Sequence, residues 1–144
     1  MPDGTAEAHL VTAGPGDTVK RYAFLLLALT ACAAHVTSSL QVDGTAFVPT
    51  TCRSGQARGF AGVELADDQQ RRLRLVQALD GTFQAVYFPP GHSVGQNLGS
   101  CGAMTLQNGI AVVNGIRNVE GSATLNCGGG PNTLKGSIAF EGCH

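Results

Sequence analysis

The side chains that could do chemistry in this 144-residue chain are its five cysteines, a His-Ser pair and a handful of acids. Cys32 closes an unbroken apolar run, and Cys52, Cys101, Cys127 and Cys143 are spread through the rest of the chain. No two of them form a C-x-x-C knuckle, and from Cys32 onward only His35, His92 and His144 accompany them, so zinc-type ligand spacing is missing and no metal is expected. His92 and Ser93 are the one base beside a nucleophile, but sequence neighbours rarely form a dyad and no G-x-S-x-G turn is present. Glycoside chemistry would need two facing carboxylates. Glu64, Asp67, Asp68, Glu120 and Glu141 fall instead at expected exposed strand positions or in a turn, where they solubilise. Gly128-Gly129-Gly130-Pro131 lacks the lysine and helix of a phosphate loop, and Cys143-His144 offers too few ligands for a metal. The pattern predicts no catalytic set and no cofactor, hence a protein that is not an enzyme.

The elements that must position these residues read as β. Gly62 to Ala66 and Leu73 to Gln77 alternate apolar and polar residues around Asp67-Asp68-Gln69-Gln70-Arg71-Arg72, an expected solvated hairpin loop. Asp80-Gly81 signals a tight turn that would set Leu75 opposite Val86 and Leu73 opposite Phe88. Pro89 to Ser100 reads as the longest irregular stretch and Asn108-Gly109 as a further hairpin turn. The clearest hairpin is the last. Val119, Gly121, Ala123, Leu125 and Cys127 share one face, Leu134, Gly136, Ile138 and Phe140 another, and both align if Leu125 pairs with Gly136 and Ala123 with Ile138. The fold expected is all-β, a small antiparallel sandwich or flattened barrel of about eight strands.

That register restricts the bridges. Cys127 lies at the loop end of the hairpin and Cys143 at its open end, roughly 25–30 Å away at about 3.3 Å per residue. A disulfide needs Cα atoms within about 7 Å, so Cys127–Cys143 is excluded. Two pairings remain: Cys52–Cys143 with Cys101–Cys127, or Cys52–Cys127 with Cys101–Cys143. The first ties the start of the domain to its end and is preferred.

The leader sets the address. Lys20-Arg21 precede an apolar run from Tyr22 to Ala31, far short of the about 20 residues a membrane-spanning helix needs, yet within the range of a signal-peptide core. Leu29-Thr30-Ala31-Cys32 at its end resembles the lipobox of bacterial lipoproteins. The resemblance implies cleavage before Cys32, a thioether-linked diacylglycerol and an N-acyl chain on that residue, and a membrane partner held through lipid. Ala33 where inner-membrane lipoproteins of enterobacteria carry Asp implies the outer membrane. Residues 1–18 are polar and stand ahead of the positive head, so Val19 is the expected translation start, 19–31 the signal, 32–39 a lipidated tether and 40–144 one β domain. A lipobox followed by a Gly-rich β domain ending near a cysteine is similar in plan to mycobacterial lipoprotein antigens; no residue role is carried over.

Charge narrows the partners. After Cys32, Arg53, Arg58, Arg71, Arg72, Arg74, Arg117 and Lys135 are matched one for one by acids, so no basic field is expected and no nucleic-acid binding. An absence of Trp argues against a sugar-stacking platform. The function expected is a lipid-anchored cell-envelope protein of structural or partner-binding type, its partner an envelope protein. Alternatives are a periplasmic inhibitor of a lytic enzyme, inserting the Pro89 to Ser100 loop, and a small envelope hydrolase using His92.

Overall fold

The alternation of apolar and polar residues builds eleven strands among residues 33–144, the part of the chain that the computed structural model describes. They are β1 His35–Ser38, β2 Gln41–Val42, β3 Thr45–Ala46, β4 Thr51–Ser54, β5 Gly62–Ala66, β6 Arg72–Gln77, β7 Phe83–Phe88, β8 Gln96–Gly99, β9 Gly102–Val113, β10 Ile116–Cys127 and β11 Leu134–Cys143, with one 3₁₀ turn at Gly55–Arg58. Two antiparallel sheets result, one ordered β3-β2-β11-β10-β9 with β1 also paired to β11, the other ordered β4-β5-β6-β7-β8. Neither closes on itself, so the architecture is a sandwich and not a barrel. Among the described residues no helix is long and apolar enough to cross a membrane. The signal and lipobox residues, Cys32 included, lie outside the described residues.

Inward positions recur every second residue, as a pleated strand demands. Val119, Ala123, Leu125, Ile138 and Phe140 of one sheet meet Val63, Leu65, Leu73, Leu75, Ala85 and Tyr87 of the other in a single buried cluster. Burying each of the Val, Leu, Ile and Phe side chains among them stabilises the fold by about 1.5–3 kcal/mol before entropy is subtracted. The β10–β11 hairpin has the expected register, Ala123 opposite Ile138 and Leu125 opposite Gly136. The bridges are Cys52–Cys143 and Cys101–Cys127, each with Cα atoms 5.0 Å apart. The first fastens β4 to the end of β11 across the sandwich; the second ties the start of β9 to the end of β10.

Several expectations are corrected. Asp80-Gly81 does turn the chain, but through a three-residue loop, because Ala78 N–H donates to Thr82 O and Gly81, at φ +81°, forms the bulge. One added loop residue shifts the register, so Leu73 faces Tyr87 and Leu75 faces Ala85. Val86 and Phe88 are thereby turned to the outer face. Asn108-Gly109 does not turn. The hairpin closes at Asn114-Gly115, whose φ values of +50° and +78° are those of a type I′ turn, and Gly109 is packed where a Cβ would strike the Asn118 side chain. The 32–39 tether is also shortened, since His35–Ser38 pairs along β11 as β1. Within Pro89 to Ser100, Gln96–Gly99 forms β8 at the sheet edge. Finally, Asp43-Gly44 makes a tight β2–β3 turn that was not among the expected hairpins.

Candidate functional site

Strand pairing gathers the arginines that the sequence scatters. On the outer face of the β4–β8 sheet, Arg53, Glu64 and Arg74 stand side by side on adjacent strands, because Arg53 pairs with Glu64 and Glu64 with Arg74. Arg58, at the end of the 3₁₀ turn, reaches the same carboxylate, with Nε 3.3 Å from Oε1, while Arg74 Nε is 2.6 Å from Oε2. Arg72 lies one position along from Arg74 on that face. It has no carboxylate within ion-pair distance among the described residues and donates from Nη2 to His92 O at 3.3 Å.

Two aromatic rings organise this face. Arg72 and Arg74 lie over Phe88 with Cζ 4.5 and 4.7 Å from the ring centre, and Arg74 is 5.6 Å from that of Phe60. Stacking on the rings and the tie to Glu64 order these guanidinium planes, which would lower the entropy lost on binding any anion. Phe88 is buried although it points outward, because Gly95 of the following loop sits against it and Val86, leaving no room for a Cβ. The face thus carries Arg53, Arg58, Arg72 and Arg74 against the single carboxylate of Glu64. Matching charge totals hid this asymmetry: the expectation of no basic field fails locally, since the acids Asp43, Asp68, Asp80, Glu120 and Glu141 lie elsewhere.

A second feature is a cleft of about 450 Å³ where the sheets part at one end. Ser54, Gln56, Phe60 and Gln77 line it from one sheet, and Leu106, Gln107, Asn108, Arg117 and Val119 from the other. Ser54 Oγ accepts from Gln56 N–H to start the 3₁₀ turn, and Gln56 Oε1 accepts from Arg117 N–H at 3.1 Å, so one side chain links the sheets. Gly62 at the floor has φ +148° and backs onto Leu75 O, so any side chain there would collide. Carboxamides and hydroxyl donate and accept hydrogen bonds and the guanidinium donates them, all at neutral pH without exchanging protons, the chemistry of holding a polar ligand.

The residues singled out from sequence are dispersed. His92 and Ser93 are exposed beside Gln70 and Arg72 at the other end of the sandwich, away from the cleft. Glu64 and Asp67 are buried, contrary to the expectation of solubilising surface acids, because each has an arginine: Asp67 Oδ2 lies 2.7 Å from Arg71 Nε, and Arg71 Nη2 also donates to Ala46 O. The charge run expected to be a solvated loop is therefore anchored at Asp67 and Arg71 and exposed only between them. Among the described residues no three of His, Cys, Asp and Glu come together. No protein-family model, curated protein or solved structure matches this chain.

Proposed function

We propose that this chain is a lipid-anchored protein of the bacterial cell envelope that binds an acidic protein partner and performs no chemistry of its own. The observation that carries the binding half is the arginine face: four guanidiniums, two of them stacked on Phe88, surround one buried carboxylate. Guanidinium forks match carboxylates in a bidentate geometry, and such a face selects an acidic segment through rate and register more than through buried area. The anchoring half rests on Lys20-Arg21, the apolar run and Leu29-Thr30-Ala31-Cys32. Paired disulfides suit the same address, since such bridges persist in oxidising compartments outside the cytosol.

Growth of the native bacterium with labelled palmitate tests the anchor. Label is expected on the wild-type protein and none on Cys32→Ser, which should leave the membrane fraction. Equal labelling of both would remove Cys32 from its role.

A further inference from the structure

The end of the sandwich that carries the cleft also carries the chain's departure toward Cys32. β1 begins with His35 opposite Glu141, and Ala33 and Ala34 lie against Gly142, next to the Cys52–Cys143 bridge. Only Ala33 and Ala34 separate Cys32 from a paired strand. At no more than about 3.6 Å per residue, three residues of chain reach at most roughly 11 Å from His35. A lipid on Cys32 would leave this end of the sandwich no more than that short reach by which to stand away from a bilayer.

The same end presents apolar side chains to solvent. β9 and β10 run past the end of β11, because Val119 is the partner of Cys143 and the arm continues to the Asn114-Gly115 turn. On this arm Ile110 is 97% exposed and Val112 54%, while Leu79, in the β6–β7 loop just beyond the cleft residue Gln77, is 109% exposed. Single exposed apolar residues need no explanation, but these protrude together from one end. Arg117, on the same arm, has no ion-pair or hydrogen-bonding partner for its guanidinium among the described residues. Apolar tips with an adjacent free cation suit the headgroup layer, where hydrocarbon and phosphate are reached at once.

We infer that this end of the sandwich, with Leu79, Ile110 and Val112 as its contacts, rests in the headgroup layer of the bilayer that anchors the protein. The inference rests on acylation of Cys32. It turns the β2–β3, β5–β6 and β10–β11 loops away from the membrane and leaves the arginine face upright at the side.

The absence of Trp makes the test direct. Val112→Trp and Leu79→Trp, each a substitution at an exposed site, and Val48→Trp at the opposite end give single-reporter proteins. Each is expressed with its leader in the native bacterium, purified in detergent, weighed by mass spectrometry and reconstituted with phosphatidylethanolamine–phosphatidylglycerol vesicles with brominated acyl chains. The expected result is loss of most of the fluorescence of the first two, with a blue shift, and none for Val48→Trp. Proteins that float with the vesicles while all three reporters stay bright would overturn the contact and leave the anchor standing. Failure to float, with no acyl mass, would overturn the anchor and the contact with it. A blue-shifted Val112→Trp in a dimer before vesicles are added would assign the tips to a second copy and also overturn the proposal.

Discussion

Cys52 of β4 is bonded to Cys143 at the end of β11, so the first strand of one sheet is fastened to the last strand of the other across 91 residues of chain. A crosslink of that span removes much of the unfolded chain's freedom. The Cys101–Cys127 bridge closes only 26 residues and stays within the β9–β10 region.

The two bridges should therefore differ in worth. By loop-closure entropy the longer contributes about 4–5 kcal/mol and the shorter about 3–4 kcal/mol. Urea unfolding of Cys52→Ser/Cys143→Ser is expected to show a loss about 1 kcal/mol larger than that of Cys101→Ser/Cys127→Ser. Equal losses would contradict loop length as what sets the worth of each bridge.

Glu64 is the keystone of the arginine face. Replacing it with Gln keeps the shape but leaves Arg58 and Arg74 without a counter-charge beside Arg53. Both arginine side chains are partly exposed, at 44% and 27%, so water offsets much of the penalty. We expect Glu64→Gln to cost about 1–2 kcal/mol in unfolding free energy, below the full cost of breaking a buried pair. An unchanged stability would show the carboxylate to be dispensable.

Charge asymmetry should be measurable without a partner. Although the formal net charge of the chain is −1 at pH 7, the face is expected to hold the protein on a sulfonate cation exchanger at low salt, with elution at about physiological ionic strength as screening sets in. Arg53→Glu/Arg72→Glu should pass straight through. Wild-type protein that also fails to bind would contradict a coherent basic face.

Asp43 gives a pH-dependent latch. Thr133 N–H donates to its Oδ1 at 2.7 Å and Asn132 Nδ2 to its Oδ2 at 2.6 Å, so the β10–β11 loop is pinned to the β2–β3 turn. The backbone bond from Thr133, followed by the Asn132 side chain, holds this carboxyl below its usual 3.8. A depressed value in the folded state means the latch is fully stabilising above the unfolded pKa and is lost as pH falls through the folded one. The Thr133 amide resonance should move as the solution is taken below about pH 4 and should be insensitive to pH in Asp43→Asn.

How much of this was legible in sequence depends on how local the deciding interaction is. The β10–β11 register was readable because a slip would turn Leu125 or Ile138 to solvent, and it excluded a Cys127–Cys143 bridge while leaving two pairings open. The β6–β7 register was not, since a single loop residue decides it and both faces of that hairpin carry apolar side chains. Of two Asn-Gly pairs, the earlier is consumed by packing against Asn118, which no local rule reveals. The arginine face was hidden for a different reason: Arg53 and Arg74 are neighbours only through Glu64, and a charge count has no geometry. Alternation of Arg72, Leu73, Arg74 and Leu75 was the available signal that those cations share one side of a strand.

The most direct measurement is the intact mass of the protein purified with detergent from its native host, before and after reduction. The expected mass starts at Cys32, carries acyl chains and rises by about four daltons when both disulfides open. A mass that starts at Met1, without acyl chains and unchanged by reduction, would contradict both the anchor and the oxidised sandwich.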